Sequence, residues 1–266
     1  MCKKNLTSTN KATFKTIGYG DRIILRKKYF RVGNAASDFL LLSKIKENFE
    51  TQEIDNFAYR ALEVYDYDCG QNHIDMEFFS GESIGDHYIL SKDPAVFYLM
   101  GVWLALLHIQ TSINEGKVIS FNDFNRTNVL IDFKKKSVVA LDPGNYVSFY
   151  EDPGISALMG LFSATRGALK EKFIHYFKSM FFFLKGYVGA CGNFKLSSSN
   201  WLCGAHYINK RLMSGSSKSL KFRLGFVRFF VIKLEVISLL VLAYLIYQAL
   251  FYFKKVHPKV FNLFNK

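Results

Sequence analysis

Three polar side chains near the middle of the chain, two aspartates and an asparagine, are of types that can bind Mg²⁺ and orient or deprotonate a hydroxyl. Asp123 lies in the stretch 120–133, SFNDFNRTNVLIDF, and Asn128 follows it five positions later. Two apolar, strand-like runs come next, and Asp142 stands where the second of them ends. Carboxylate and amide oxygens are suitable Mg²⁺ ligands, and a further carboxylate can orient or deprotonate an acceptor hydroxyl. Taken alone, the same three residues also fit a polar loop that caps a hairpin.

The motif around these residues resembles the catalytic loop of the protein-kinase-like superfamily. In that family an aspartate is followed five positions later by asparagine, then by a hairpin and a metal-binding aspartate. The sequence here has Asp123, Asn128 and Leu130, then a predicted hairpin, then Asp142-Pro143-Gly144. Upstream, LHIQTSI (107–113) resembles the end of the helix that precedes the loop. IDMEFFSGESI (74–84) resembles the hinge strand, the segment that holds adenine.

The amino-terminal region is similar to that of choline kinases and aminoglycoside phosphotransferases. The stretch 5–16, NLTSTNKATFKT, has a polar turn ending in Asn10-Lys11 in the place of a glycine-rich loop. The FND at 121–123 also resembles the H-N-D of choline-kinase-like enzymes, and the resemblance covers residues 5–150 in order. Lipopolysaccharide-core sugar kinases are the subgroup that combines this fold with a membrane-bound acceptor, although no residue here identifies a sugar.

The resemblance implies catalytic and metal-binding roles for four residues of the loop and the hairpin. Asp123 would be the base or the group that orients the acceptor hydroxyl, and Arg126 would help to neutralise the transferred phosphoryl group. Asn128 and Asp142 would hold Mg²⁺. His108 would have a structural role.

The resemblance also implies an ATP site in the amino-terminal part. Arg26 would contact the α- and β-phosphates, and Glu47 would pair with it from the following helix. Alternate residues of a strand point to opposite sides and the facing is not fixed by the sequence, so other residues compete for both roles. The competitors are Lys27 and Lys28 for the first role, and Glu50 and Glu53 for the second. Backbone groups around Glu77 to Phe79 would meet adenine.

Two positions depart from the pattern of the family. Phe121 stands where the family usually has a histidine that steadies the loop, and we expect its aromatic ring to pack instead. Pro143 after the metal-binding aspartate fixes the turn, which disfavours the mobile switch of regulated protein kinases. Gly18 and Gly20 lie too close to the next strand to form a phosphate loop, so they are interpreted as turn glycines.

The pattern of strands and helices predicts an α+β, two-lobed, protein-kinase-like fold. Residues 13–30 predict a hairpin, residues 36–49 a helix, and two further short strands follow before residue 80. A strongly apolar helix begins at Asp93-Pro94, and the chain after residue 154 is mostly helical. We therefore predict a small sheet-plus-helix lobe in residues 1–80 and a larger helical lobe in residues 81–266.

The positive charge of the chain is concentrated in its second half. The net charge is +13, and residues 151–266 contain 17 Lys and Arg but only 4 Asp and Glu. A basic, aromatic region fits an anionic membrane surface or a polyanionic substrate. No recognition helix, zinc finger or RNP-like pattern indicates nucleic acid. The polar amino terminus and the four scattered cysteines favour a cytoplasmic protein with reduced thiols.

The apolar stretch 236–253 leaves three interpretations open. Its 18 residues carry no charge and are followed by Lys254-Lys255, a length at the lower limit for crossing a bilayer. A buried or interfacial helix, a membrane span and a partner interface all fit this composition. The preceding stretch 222–233, FRLGFVRFFVIK, alternates basic and aromatic residues as a helix in a headgroup layer does. Membrane association at the cytoplasmic face is expected more than spanning.

The function predicted from these features is ATP- and Mg²⁺-dependent phosphoryl transfer to a hydroxyl. The acceptor would be a small molecule or the sugar of a glycan or glycolipid. Two alternatives remain: a Ser/Thr protein kinase and a catalytically inactive, membrane-associated scaffold. The short connection between Asp142-Pro143-Gly144 and the next helix disfavours the first alternative, and Mg-ATP binding would exclude the second.

Overall fold

The computed structural model describes residues 12–20, 22–31, 33–113, 116–121, 123–144, 150–169, 173–214 and 217–263. Inside helices and strands, it leaves out the side chains of residues 19, 166–169, 173, 211–214, 217–234 and 262–263. The predicted turn at Asn10-Lys11 and the Asn122 of the FND motif lie outside the described residues. The basic and aromatic side chains of 222–233 also lie outside them, although their backbone is helical.

The first part of the chain forms three hairpins and a helix. In order they are β1 (Ala12–Tyr19), β2 (Arg22–Tyr29), α1 (Asn34–Asn48), β3 (Gln52–Ile54), β4 (Phe57–Tyr59), β5 (Val64–Asp68) and β6 (His73–Glu77). An antiparallel sheet has the strand order β1, β2, β6, β5. Helix α1 packs against this sheet through its apolar residues.

The second part of the chain is mostly helical. Its elements are β7 (Glu82–Ser83), α2 (Ile84–Ser91), α3 (Val96–Thr111), β8 (Val118–Ile119), β9 (Val129–Asp132), β10 (Ser137–Ala140), β11 (Tyr150–Glu151), α4 (Pro153–Leu169), α5 (Phe173–Ala190), α6 (Ser198–Ser214), α7 (Ser217–Val256) and α8 (Pro258–Leu263). A mixed sheet with the order β3, β4, β10, β9, β7 joins the two parts, and β4 pairs with β10 in parallel. Strands β8 and β11 form a separate pair.

These elements confirm the predicted α+β fold with a sheet-rich first lobe and a helical second lobe. The predicted hairpin at 13–30, the helix at 36–49 and the hairpin after the loop are all present. The short β3–β4 hairpin was not predicted, because each strand has only three residues. The boundary at residue 80 stays a prediction.

Strand β2 shows why one of three neighbouring basic residues is turned inward. Leu25, Lys27 and Tyr29 are buried, whereas Arg26 is half-buried and Lys28 is exposed. Successive side chains of a strand point to opposite faces of the sheet, so residues at odd positions share the face covered by α1. The strand therefore places the Lys27 ammonium group inside the protein.

Helices α3 and α5 cross where each helix has a glycine that faces the backbone of the other helix. A Cβ atom on Gly101 would clash with the carbonyl oxygen of Phe183, and a Cβ on Gly186 would clash with that of Tyr98. The missing side chains let the two backbones approach closely. This crossing fixes the helix that leads into the loop at 120–133 against the rest of the helical lobe.

His108 near the end of α3 has a structural role, as the resemblance implied. Its Nδ1 lies 2.7 Å from the hydroxyl oxygen of Tyr187 on α5, and the side chain is completely buried. Burial lowers the pKa of His108 to about 3, because the charged imidazolium would lose its hydration. The residue is therefore neutral near pH 7 and links the two helices.

Replacing His108 by Gln should remove part of the acid sensitivity of the protein. The unfolded chain binds a proton on this imidazole below about pH 6.5, and the folded chain does so only near pH 3. The free energy of unfolding therefore falls as the pH drops through this window. For this group, the fall between pH 7 and pH 5 is on the order of 2 kcal/mol.

Urea unfolding of the wild type and His108→Gln at these two pH values measures the effect. The glutamine amide can keep the contact with the Tyr187 hydroxyl but does not titrate. A smaller pH-dependent loss is expected in the variant. Equal losses in both proteins would contradict the assignment of a neutral, buried histidine.

Candidate active site

A buried lysine between two carboxylates lies at the centre of the site. The Nζ atom of Lys27 is 2.9 Å from Oδ2 of Asp38 on α1 and 2.9 Å from Oδ2 of Asp142, which follows β10. Lys27 is 4% exposed and Asp38 is completely buried, whereas about a quarter of the Asp142 side chain is exposed. One ammonium group therefore connects the first sheet, α1 and the segment after the hairpin, and Asp142 is its open side.

Tyr29 stabilises the buried partner of this lysine. Its hydroxyl donates a hydrogen bond to Oδ2 of Asp38, the same atom that accepts from Lys27. Burial raises the pKa of the Asp38 carboxyl, and the charge of Lys27 and the Tyr29 hydrogen bond oppose this rise. Burial and the neighbouring carboxylate also raise the pKa of Tyr29, so the phenol remains a donor.

The loop at 123–128 is held in shape by its own amide side chains. Nδ2 of Asn128 donates to the backbone oxygen of Asp123 at 2.9 Å, and Nδ2 of Asn125 donates to Oδ1 of Asp123 at 3.0 Å. Oδ1 of Asn125 accepts from the backbone N–H groups of Thr127 and Asn128. These bonds fix the Asp123 carboxylate and leave Oδ1 of Asn128 without a hydrogen-bond partner among the described residues.

Backbone hydrogen bonds bring this loop to Asp142. The N–H of Leu141 donates to the carbonyl of Asn128 at 2.8 Å, and the N–H of Asp123 donates to the carbonyl of Pro143 at 3.3 Å. The N–H of Gly144 donates to Oδ1 of Asp142 at 3.1 Å, at a φ of 81° that favours glycine. The structure thus brings together Asp123, Asn128 and Asp142, the three residues singled out from the sequence.

Phe121, at the position where the resemblance led us to expect histidine, packs against other aromatic side chains. Its ring lies edge-on to Trp103 at 5.4 Å, and Phe124 stacks on the same indole at 5.6 Å. Trp103 also stacks with Phe49 at 5.1 Å and donates from its Nε1 to the carbonyl of Arg60 at 3.0 Å. The loop is therefore anchored through a buried aromatic cluster rather than through a polar histidine.

The segment after β6 offers backbone groups where the resemblance places adenine. Phe78, Phe79 and Ser80 have no backbone hydrogen bond to another residue in the described part of the chain. Ser80 Oγ donates to Oδ2 of Asp132 at 3.1 Å, which ties this segment to the end of β9. A Cβ on Gly81 would clash with the Ile131 carbonyl, so the same segment passes directly over the hairpin.

The side chains of Glu77 and Phe79 support this segment. Glu77 forms a paired ion contact with Arg60, with one N–O distance of 2.7 Å. Burial favours a higher pKa for Glu77, but the hydrogen bonds and charge of Arg60 outweigh it and lower the pKa. The Phe79 ring is buried, and the Arg60 guanidinium lies 5.6 Å from its centroid. The side chains of Glu77 and Phe79 therefore both contact Arg60. Only the backbone groups of these two residues could bind a base.

Arg26 and Glu47, the residues predicted to contact the phosphates and to pair from the helix, do not lie beside Asp142. Arg26 lies on the other face of β2 and binds Asp75 through two hydrogen bonds of 2.7 and 2.6 Å, so Lys27 takes its place beside Asp142. Glu47 is exposed near the end of α1, and Asp38 is the helix residue that pairs with the lysine. The competing Glu50 and Glu53 are also exposed.

Arg126 is directed towards α2. Its carbonyl accepts a hydrogen bond from the N–H of Gly85 at 2.7 Å, and its guanidinium carbon lies 5.9 Å from the ring centroid of Tyr88. Nη1 of Arg126 is buried and has no hydrogen-bond partner among the described residues. These contacts fix α2 beside the loop, and they do not join the arginine to Asp123.

Asp38 and Tyr29 were missed in the sequence, although a signal for Asp38 was present. Asp38 lies at helical spacing within the apolar stripe of α1, whose buried members include Ala35, Leu41 and Ile45. A carboxylate in the middle of such a stripe requires a buried partner of opposite charge. Tyr29 gave no comparable signal, because its type and position are those of an ordinary strand residue.

The oxygen atoms at this site suit a hard cation such as Mg²⁺. Asn128 presents a free amide oxygen, and Asp142 presents a partly exposed carboxylate. No group of three or more His, Cys, Asp or Glu side chains that could hold a metal occurs in the described ranges. A metal held by only two protein ligands matches Mg²⁺, which retains waters and phosphate oxygens as its other ligands.

Comparisons with known proteins find similarity among solved structures only. No family model matches the chain, and no curated protein sequence matches it. Among solved structures, the chain is similar to the PknI kinase domain of Mycobacterium tuberculosis, with 13% identity over 70% of each chain and a TM-score of 0.38. That score is too low to match individual residues, so the functional proposal depends on the contacts within this chain.

Replacing Lys27 by Met should destabilise the protein far more than replacing its neighbour Lys28. Without the ammonium group Asp38 remains buried and unpaired, which is expected to lower the free energy of unfolding by about 3–5 kcal/mol. Lys28 is exposed, so Lys28→Met should change it by no more than about 0.5 kcal/mol. Chemical denaturation measures both values.

A double variant separates the ion pair from other effects of the substitution. Lys27→Met combined with Asp38→Leu removes both buried charges and should recover most of the lost stability. If Lys27→Met is no more destabilising than Lys28→Met, the buried ion pair does not stabilise the fold as described.

Proposed function

We propose that this chain is an ATP-dependent phosphotransferase that transfers the γ-phosphoryl group to an acceptor hydroxyl. The observation that carries the proposal is Lys27, held by buried Asp38 and in contact with Asp142 beside the loop of Asp123 and Asn128. A cation, two oxygen ligands and a separate carboxylate are the groups that this reaction requires. A loop that only caps a hairpin would have no need for a buried lysine at its edge.

The proposed reaction assigns one task to each residue. Lys27 contacts the α- and β-phosphates, and Asp142 and Asn128 provide oxygen ligands for Mg²⁺, which would neutralise charge on the phosphates. Asp123 accepts the proton of the acceptor hydroxyl while the oxygen of that hydroxyl forms a bond to the γ-phosphorus. The bond between that phosphorus and the bridging oxygen of ADP breaks, so that ADP leaves with the electron pair.

The segment 78–80 is proposed to hold the adenine base. The free backbone groups of Phe78, Phe79 and Ser80 provide both donors and acceptors for its edge. The bond from Ser80 to Asp132 fixes this segment relative to the hairpin that ends at Asp142. Base and phosphates would thus be bound by parts of one connected framework.

The proposed acceptor is a small molecule or the sugar of a glycan or glycolipid. Helix α4 begins at Pro153, so little chain separates Asp142-Pro143-Gly144 from the helical lobe. Peptide substrates of protein kinases usually bind beside a longer segment at this point. The lipopolysaccharide-core-kinase-like branch fits this proposal, as does attachment to the cytoplasmic face of a membrane, which the basic second half of the chain supports.

Replacing Asp123 should abolish transfer and leave nucleotide binding intact. Asp123→Asn keeps an acceptor for the Nδ2 of Asn125 but removes the base, so a loss of about 10²- to 10⁴-fold in rate is expected. The assay measures labelled γ-phosphate transferred from Mg-ATP to fractionated cell extract. Asp66→Ala, which removes an exposed carboxylate of β5, serves as the matched control.

Thermal shift with Mg-ATP completes the test and identifies an inactive scaffold. The wild type and Asp123→Asn should both be stabilised by Mg-ATP, because Asp123 is not a proposed nucleotide ligand. A wild type that shows neither stabilisation by Mg-ATP nor transfer would favour the scaffold. Full transfer by Asp123→Asn would refute the assigned role of this residue.

A further inference from the structure

Helix α7 has two unlike faces between Glu235 and Val256. The inner face is buried and includes Val236, Leu240, Ala243 and Tyr247. The outer face carries an exposed row of apolar side chains, here called the apolar stripe: Ile237, Val241, Leu245, Tyr252 and Val256. Their exposed fractions range from 42% for Ile237 to 68% for Tyr252. Steps of four residues, with one step of seven between Leu245 and Tyr252, keep this row on one side of the helix.

The inner face of α7 is fastened to the helical lobe by polar contacts. The Tyr247 hydroxyl accepts a hydrogen bond from the N–H of Leu196 at 2.8 Å, and Trp201 stacks on the Tyr247 ring at 5.2 Å. Lys254 donates from its Nζ to the carbonyls of Val188 and Gly189 at 2.7 and 3.0 Å. These carbonyls end helix α5, where a cation is favourable.

These contacts argue that α7 does not cross a bilayer by itself. By length and composition, Glu235–Val256 is the one stretch within the described residues that could do so, and 22% of its most apolar window is buried. Removing it from the lobe would break the contacts with Leu196 and the α5 carbonyls and would carry the Tyr247 hydroxyl unpaired into hydrocarbon, which is costly. A helix fixed on one side and apolar on the other fits the boundary of a membrane.

A half-open groove between α6 and α7 adjoins the apolar stripe. It has a volume of about 500 Å³, in the range of sites that take small molecules. Trp201, Leu202 and Ala205 of α6 form one wall, and Ile237 and Val241 of the stripe belong to the other. Its lining is mainly apolar. A flexible apolar ligand that lies along the stripe can therefore enter the groove without crossing a polar barrier.

The charge of this part of the sequence, with two exposed lysines beside the groove and the stripe, indicates the kind of partner. Between residues 198 and 263 the sequence contains ten Lys and Arg residues and one acidic residue, Glu235. Lys210 at the end of the groove-lining part of α6 and Lys255 at the end of the stripe are exposed. Basic residues beside an apolar surface are attracted to anionic lipid headgroups. A neutral apolar ligand alone would not account for this charge.

We propose that the groove between α6 and α7 binds one acyl chain of an anionic membrane phospholipid, while the apolar stripe lies in the headgroup boundary. The protein is then attached to one leaflet by α7 without spanning the membrane. This deepens the membrane part of the proposed function, and it does not depend on phosphoryl transfer. Lipid binding needs neither Mg-ATP nor Asp123.

Quenching of Trp201 by brominated acyl chains tests the groove directly. The full-length protein is mixed with vesicles of phosphatidylcholine that contain about one-quarter phosphatidylglycerol, with or without bromine in the chains. The chain has two tryptophans, and Trp103 is buried in the aromatic cluster of the loop. Quenching is expected in the wild type and should disappear in Trp201→Phe. Quenching that persists in Trp201→Phe, or none at all in the wild type, would overturn the proposal.

Vesicle sedimentation tests the stripe with matched substitutions. Val241→Glu places a charge where groove and stripe meet and should weaken binding by about tenfold or more. Leu90→Glu on α2, where the leucine is 80% exposed, is the control and should bind as the wild type does. Asp123→Asn should also bind normally, so failure of this proposal and failure of the transfer reaction are distinguishable.

Three other outcomes would overturn the proposal. If the wild type dimerises in light scattering and Val241→Glu is monomeric, the groove and the stripe are covered by a second copy. If bound protein resists extraction by carbonate and high salt, α7 crosses the bilayer. Equal vesicle binding by Val241→Glu and Leu90→Glu would show that the stripe does not contact lipid.

Discussion

Two carboxylates share one buried ammonium group, and the arrangement of the site depends on that contact. Lys27 would be too costly to bury alone, and so would Asp38. The two charges form an ion pair, and the Tyr29 hydroxyl donates a hydrogen bond to Asp38. The Lys27 ammonium group also contacts Asp142. The contact joins a strand and the helix that follows it to the end of a hairpin far along the chain, so it fixes the relative positions of these three elements. Asp142 is the partly exposed member of this contact, so a charged group from outside the protein can approach there.

Around this contact the chain uses backbone bonds where precision is needed and apolar packing where only position is needed. The loop of Asp123 and Asn128 is closed by short hydrogen bonds and is tied to Pro143 and Leu141. Phe121 instead holds the beginning of the loop by packing. Directional bonds set the orientation of reacting groups, whereas packing tolerates a change of side chain. This division explains how an aromatic ring at position 121 can anchor the loop without disturbing the Asp123 carboxylate.

Features that depend on spacing along the chain could be predicted from the sequence. Features that depend on which side of a strand or helix packs against the protein could not. Asp123, Asn128 and Asp142 could be grouped because a loop and a hairpin separate them by a fixed distance. The choice between Arg26 and Lys27 needed the side of the strand that α1 covers, which a run of basic residues conceals. Asp38 was recognisable in principle, since a carboxylate within an apolar helix stripe needs a partner. The unlike faces of α7 could not be assigned, because apolar residues occur all around that helix.

The indole of Trp103 has a consequence for motion. It touches the end of α1 through Phe49, the chain before β5 through the carbonyl of Arg60, and the loop through Phe121 and Phe124. Its ring is rigid and completely buried, so these four contacts cannot lengthen independently. A rotation of these segments relative to one another would therefore pivot about this side chain. The displacement would be greatest at the residues farthest from the indole.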